Sequence, residues 1–137
     1  MPSSGYSGTP LIQKLGIKPA SKLMLVNMPA EYFELLQADV SRQICGKNEV
    51  PDLIHLFVTD MNSFRNEMKK TEKLRRQNSA IVIWVSWYKK SSKLTTDVTE
   101  DAIREYALQH KLVDVKVCAV SEQWSGLKLV VPLANRK

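Results

Sequence analysis

The chain is predicted to be an α/β protein, a three-layer sandwich whose mostly parallel sheet ends in an antiparallel C-terminal hairpin. Three observations predict this. Residues 52–60 (DLIHLFVTD) and 80–87 (AIVIWVSW) are nearly unbroken apolar runs, the pattern of strands covered on both faces. Each is followed by a segment with helical spacing of its apolar residues. The last third then changes period, alternating at Val113, Val115, Val117 and Ala119 and again at Leu127, Leu129 and Val131, as half-buried strands do.

In order along the chain, residues 22–27 (KLMLVN) form a short apolar run closed by a polar residue, and Met28-Pro29 places proline where a helix begins. Tyr32, Phe33, Leu35 and Leu36 give that helix an apolar face, which fades near Asp39. A weak strand is expected at 41–45, before the turn-like Gly46-Lys47-Asn48. Only about six residues then separate it from Asp52, too few for a parallel crossover, so the weak strand is irregular or antiparallel. Inside the run 52–60, His55 reads as a hydrogen-bonded structural histidine rather than a ligand-binding one. Asp60 is an acceptable N-cap for a helix that carries Met61, Phe64 and Met68 on one face and runs to about Arg76. Those methionines read as core residues.

The run 80–87 is β-branched and aromatic throughout and is expected to be the central strand. After the polar loop 89–96, Asp97 followed by Glu100 resembles a capping box. Ala102, Ile103, Tyr106, Ala107 and His110 make one helical face, with His110 partly exposed near its end. Residues 113–119 and 127–131, joined by Ser121-Glu122-Gln123-Trp124-Ser125-Gly126, make the hairpin. Strands and helices that alternate and then end in such a pair describe a Rossmann-like sandwich. The domain is assigned to residues 21–137, with 1–20 as an N-terminal extension.

Composition narrows the function classes. A chain of 137 residues, 44% hydrophobic and 25% charged, is long enough for one core and too apolar for wholesale disorder. Its longest apolar runs are about a third of the ~20 residues that span a bilayer. The N-terminal segment 1–14, rich in Gly, Ser and Pro, lacks the basic-then-apolar pattern of a secretion signal, so a cytoplasmic setting is expected. Cys45 and Cys118 form no CxxC pair and read as small apolar residues. The net charge of +6 favours anionic partners. Much of it comes from Lys69, Lys70, Lys73, Arg75 and Arg76, which complement the negative end of one helix dipole. With no accompanying nucleic-acid motif, a solvated helix face is the favoured reading and nucleic-acid binding is disfavoured.

Ligands of open α/β sheets bind beyond the carboxyl ends of the strands, near the point where the connections change direction. That rule selects Asn27 and Met28 after the first strand, Thr59 and Asp60 after the second, and Ser86, Trp87, Lys89 and Lys90 after the third. The hairpin turn adds Glu122, Trp124 and Ser125. Trp87 and Trp124 would form aromatic walls while Lys89 or Lys90 meets an anion. Against a site stands the plainer reading that Trp124 covers the sheet edge and the lysines form a solvated turn. Residues 5–8 (GYSG) would either fold over the crevice or stay flexible.

Missing motifs are equally informative. The loop after the first strand reads Val26-Asn27-Met28-Pro29-Ala30-Glu31, without the glycines that let a backbone approach a dinucleotide or S-adenosylmethionine. That cofactor is therefore disfavoured and none is predicted. No P-loop, GxSxG, HExxH or clustered Cys/His set occurs, and no metal ligands are assigned.

Two resemblances follow from these residues. From Asp52 onward, the order strand-helix-strand-helix-hairpin looks like the second half of class I S-adenosylmethionine-dependent methyltransferases, an architectural likeness only. Across nearly the whole chain, the sequence resembles an uncharacterised bacterial family of small proteins catalogued as domain of unknown function 3052. The matching stretches are Gly5-Tyr6-Ser7-Gly8-Thr9-Pro10-Leu11, Lys14-Leu15-Gly16-Ile17-Lys18-Pro19, His55-Leu56-Phe57-Val58-Thr59, Trp84-Val85-Ser86-Trp87, Thr96-Asp97-Val98-Thr99-Glu100, residues 113–120 (VDVKVCAV) and residues 124–130 (WSGLKLV). Where that family usually has Trp-Pro-Lys-Lys, this chain has Trp87-Tyr88-Lys89-Lys90. The resemblance implies the fold but no activity.

The leading expectation is a degenerate methyltransferase-like domain that binds a small anionic ligand or a protein partner at the strand ends. The alternatives are a transferase acting on a nucleotide-like substrate, with Asp60 as base and Lys89 or Lys90 holding an anion, and a basic nucleic-acid accessory protein using residues 61–76. Asp60 and Glu122 as an acid/base pair are a weak signal.

Overall fold

The computed structural model describes residues 9–136. The parallel part of the sheet is built from β1 (Leu23–Val26), β2 (Leu53–Phe57) and β3 (Val82–Tyr88), and the hairpin from β4 (Val113–Ala119) and β5 (Trp124–Val130). The strand order is β1-β2-β3-β5-β4, with β3 central as its composition predicts. β1 and β2, and β2 and β3, pair in parallel, while β5 runs antiparallel to both β3 and β4. The sheet is therefore mixed, not mostly parallel as expected. The reason lies in strand length: β1 and β2 have four and five residues, whereas β3, β4 and β5 have seven each, so the hairpin carries much of the ladder.

Helices α1 (Leu11–Leu15) and α2 (Tyr32–Leu36) cover one face of the sheet, and α3 (Met61–Gln77) and α4 (Glu100–Gln109) the other. Side-chain alternation sorts the strands between them. Ile54 and Leu56 of β2, Ile83, Val85 and Trp87 of β3, and Leu127 and Leu129 of β5 meet Phe64 and Met68 of α3 and Ile103 and Ala107 of α4. Leu53 and Phe57, Trp84 and Trp124 meet Leu15, Tyr32 and Leu36. Residues 11–17 thus contribute to this second core although they precede residue 21. Trp84 Nε1–H donates to the Leu15 carbonyl at 2.9 Å, and Gly16, with φ +82°, ends α1 in the left-handed conformation.

Four local expectations are corrected. The helix after Met28-Pro29 is only Tyr32–Leu36. It stops at Gln37, which adopts φ +57°, so the apolar pattern reaching toward Asp39 is used in a turn. The weak strand at 41–45 is a single 3₁₀ turn, Ser41–Gln43, followed by an isolated parallel bridge from Ile44 to Leu23. Residues 27–52 therefore form one crossover from β1 to β2, which removes the problem of the short link. Thr99, not Asp97, caps α4, its hydroxyl accepting from Ala102 N–H at 3.1 Å. Asp97 instead accepts from Met61 N–H at 2.8 Å, at the start of α3. Finally, Cys45 and Cys118 are free and only half-buried.

His55 lies wholly within the core, with one ring nitrogen 2.7 Å from Tyr32 Oη and the other 2.7 Å from Ser86 Oγ. A neutral imidazole satisfies both contacts, one nitrogen accepting and the other donating. Burial drives its pKa down to about 3 and raises that of Tyr32. His55 is the structural histidine its position in the apolar run predicts.

Candidate functional site

β1, β2 and β3 all end at the same edge of the sandwich, and the β4–β5 turn returns there. α4 follows a strand pointing to that edge and runs back along the sheet, so its first turn must also lie there. Between them an open cleft of about 480 Å³ is lined by Trp87, Lys89, Lys90, Ser91, Glu100, Asp101 and Ser125. It sits where the parallel strands meet the reversed β5, the change of direction at which α/β sheets bind ligands.

Each lining residue is placed by a definite local feature. Trp87 is on the α3/α4 face of β3, only 7% exposed, opposite Ser125 in the β3–β5 register. Lys89 N–H donates to the Gln123 carbonyl at 2.9 Å, which extends the ladder one step past β3. The Lys89 carbonyl accepts from Ser92 Oγ–H at 2.6 Å and from Ser92 N–H at 3.0 Å, folding Lys90–Ser92 into a 3₁₀ turn. Glu100 and Asp101 occupy the first turn of α4, where their charge complements the helix dipole. Glu100 is also paired with Arg104, which bridges to Asp114 at 3.0 Å.

Of the residues selected from sequence, Trp87, Lys89, Lys90 and Ser125 come together here; the other seven do not line this cleft. Asn27 and Met28 are exposed beyond β1, two strands away from β3. Asp60 caps α3, accepting from Ser63 N–H at 2.6 Å. The Thr59 carbonyl accepts from Thr96 Oγ1–H at 2.7 Å. Together with the Asp97–Met61 contact, this ties the loop after β3 across the loop after β2. Ser86 is buried on the opposite face against His55. Glu122 is exposed in the hairpin turn.

The expected pair of aromatic walls does not form. Tyr88 is in register with Trp124 and Trp87 with Ser125. Residues in register share a face and successive residues alternate, so Trp87 and Trp124 lie on opposite sides of the sheet. Trp124 packs edge-on against Phe57 at 5.0 Å and beside Tyr88 at 4.6 Å between ring centroids. Ser91, Glu100 and Asp101 were missed. The signal for the acidic pair was available, since a helix following a parallel strand of this sheet must start at the carboxyl edge of the strands.

The first-strand loop lacks glycine, and Asn27 supplies its left-handed conformation, φ +58°. The five-residue α2 that follows begins after Glu31 without a side-chain cap. This is poor ground for a cofactor phosphate or carboxylate, because a carboxylate side chain already stands at that end. Among the described residues no group of His, Cys, Asp and Glu could hold a metal ion, and no helix is long and apolar enough to cross a membrane. The Gly5-Tyr6-Ser7-Gly8 segment lies outside the described residues.

No protein-family model matches the chain, and no curated protein does. Solved structures do match. A protein of the NADB-Rossmann superfamily from Streptococcus agalactiae aligns with a TM-score of 0.54 at 11% identity, over 97% of this chain and 72% of that one. An uncharacterized protein from Listeria monocytogenes serotype 4b aligns at 0.55 and 10%, over 94% and 69%. The M1A22 tRNA methyltransferase TrmK of B. subtilis aligns at 0.51 and 8%, over 93% and 67%. At these identities the likeness is one of fold, and the chain has a Rossmann-type, methyltransferase-like fold.

Proposed function

We propose that this chain is a non-catalytic binding domain, a methyltransferase-like fold that takes a small ligand with an anionic group in the cleft beside β3 and does so without S-adenosylmethionine. One observation carries the reading: the cleft at the change of strand direction brings Lys89 and Lys90, neither of them in an ion pair among the described residues, to a largely buried indole. An aromatic wall beside a few convergent polar groups is a common composition of a small-molecule site. The resemblance to domain of unknown function 3052 fits this reading. Three of its matching stretches, Trp84-Val85-Ser86-Trp87, Thr96-Asp97-Val98-Thr99-Glu100 and the one beginning Trp124-Ser125, border the cleft or tie down its loop. That family assignment, with its bacterial and cytoplasmic setting, is part of the proposal.

The enzyme alternative is weaker because Asp60, its base, is committed as a helix cap. The nucleic-acid alternative is weaker because the basic residues sit toward the far end of α3. That helix has 17 residues, so about 25 Å of axis separates its C-terminus from the ligand edge.

The test is a thermal-shift screen with phosphate, pyrophosphate, small carboxylates, nucleotides, S-adenosylmethionine and S-adenosylhomocysteine. A ligand at about a hundred times its Kd adds ~2.7 kcal/mol and raises Tm by several degrees. A shift with an anion that disappears in the Lys89→Met/Lys90→Met double variant supports the reading. A shift with S-adenosylmethionine that survives the double variant overturns it, as does silence across the panel.

A further inference from the structure

The same cleft carries charges of both signs, and this bears on the class of its ligand. Glu100 is engaged by Arg104, but Asp101, Lys89 and Lys90 have no ion-pair partner among the described residues, although all three line one space. Opposite charges that border one cleft and yet stay beyond ion-pair distance leave room for something between them. Their two supports are fixed independently. The lysines stand on the turn that Gln123 and Ser92 hold. Asp101 stands on α4, whose start is held by the Thr99 cap and, through the preceding loop, by Thr96–Thr59 and Asp97–Met61.

The rest of the lining adds an indole and two serine hydroxyls. Trp87 is more than nine-tenths buried and borders the cleft with its indole. Ser91, which is exposed, and Ser125, which is half-buried, belong to the same lining and can hydrogen-bond a ligand there. The formal charge of the lining is two lysines against two carboxylates. A ligand with negative charge alone would gain from the lysines and lose against Glu100 and Asp101. One with an anionic group at one end and a protonated amine at the other meets a complementary charge at both.

Resting on the ligand cleft proposed above, we infer that the ligand is a small zwitterion of the α-amino-acid type, its carboxylate toward Lys89 and Lys90 and its ammonium toward Asp101. The side chain of the ligand then lies against Trp87.

The experiment is calorimetric titration of the full chain with trios that share a carbon skeleton. L-Phenylalanine is compared with 3-phenylpropanoate, which lacks the amine, and 2-phenylethylamine, which lacks the carboxylate. The other common α-amino acids are screened alongside by thermal shift, with the same two analogues made for any that binds. The expected result is one amino acid binding at least tenfold more tightly than either singly charged analogue. Asp101→Asn should lower its affinity about tenfold while the carboxylate analogue, relieved of a like charge, binds somewhat more tightly. Lys89→Met/Lys90→Met should weaken both. Asp101 is exposed, and an unchanged melting curve confirms that the variant is folded. Equal binding of the amino acid and its carboxylate analogue, indifferent to Asp101→Asn, overturns the zwitterion and leaves an anion site standing. No binding by any amino acid also overturns it, and the phosphate and carboxylate arms of the earlier screen then decide separately whether the cleft binds anions.

Discussion

Trp87 and Trp124 stand on neighbouring strands, one residue out of register, and therefore face opposite sides of the sheet. Trp87 borders the cleft next to α4. Trp124 closes an aromatic cluster under α1 and α2, against Phe57 and Tyr88. The two indoles consequently have separable roles. Trp124→Ala should cost about 3–5 kcal/mol in a urea melt, the range for deleting a buried large aromatic, and leave ligand affinity unaltered at temperatures where the variant is folded. Trp87→Leu keeps an apolar filler and should weaken ligand binding with a smaller loss of stability. If Trp124→Ala abolished binding in a folded protein, the assignment of the site to the α3/α4 face would be wrong.

Acid stability should carry the signature of His55. Burial lowers its pKa from 6.5 to about 3, so between those values the unfolded chain takes up a proton that the folded chain refuses. The contribution is fully present above about pH 6.5 and is lost as the pH falls toward 3, with a slope of up to about 1.4 kcal/mol per pH unit. Urea midpoints measured from pH 7 to pH 4 should show this extra slope in the natural chain and not in His55→Gln. Parallel slopes in the two proteins would mean that His55 is not held neutral by burial.

Gly126 lies where β5 crosses Trp84 and Ser86. A Cβ there would meet Val120 Cγ2 at 3.1 Å, Trp84 Cε3 at 3.3 Å and Ser86 Oγ at 3.4 Å. Trp84 is fully buried and anchored to α1, so it cannot give way freely. Gly126→Ala should destabilise by about 1–3 kcal/mol through overpacking. A neutral result in chemical denaturation would show that this part of the core is looser than its contacts indicate.

The side-chain contacts at the starts of α3 and α4 can be told apart by amide exchange. Asp97→Ala should accelerate exchange at Met61 N–H, and Thr99→Ala at Ala102 N–H, each with a loss of about 1 kcal/mol. Were Asp97→Ala to loosen α4 instead, the capping box read from sequence would be right after all.

At Asn27, φ +58° makes the left-handed conformation a requirement of the turn after β1. Asn27→Gly should be nearly neutral and Asn27→Ala should cost about 1 kcal/mol. Equal thermal midpoints for the two variants would contradict the strain argument.

The sequence by itself determined the elements that carry strong periodic or apolar signals. β2, β3, α3 and the hairpin follow from local patterns, because burial on both faces demands unbroken apolar runs and burial on one demands alternation. The buried state of His55 and the capping role of Asp60 were legible for the same reason, each resting on its immediate neighbours. The chain edge that holds the cleft was legible too, since topology sends every strand-to-helix turn to one side.

Only the tertiary structure decided which residues of that edge meet. A register offset of one residue separates Trp87 from Trp124, and no local pattern encodes the offset between strands that are 36 residues apart at Tyr88 and Trp124. The loop after β3 closes over Thr59 and Asp60 through contacts made 36 and 37 residues away in sequence. That moves the open space from the β2 end to the β3–β5 junction, where Glu100 and Asp101 join two lysines. Local chemistry chose the secondary structure; pairing across the sheet chose the faces, and with them the site.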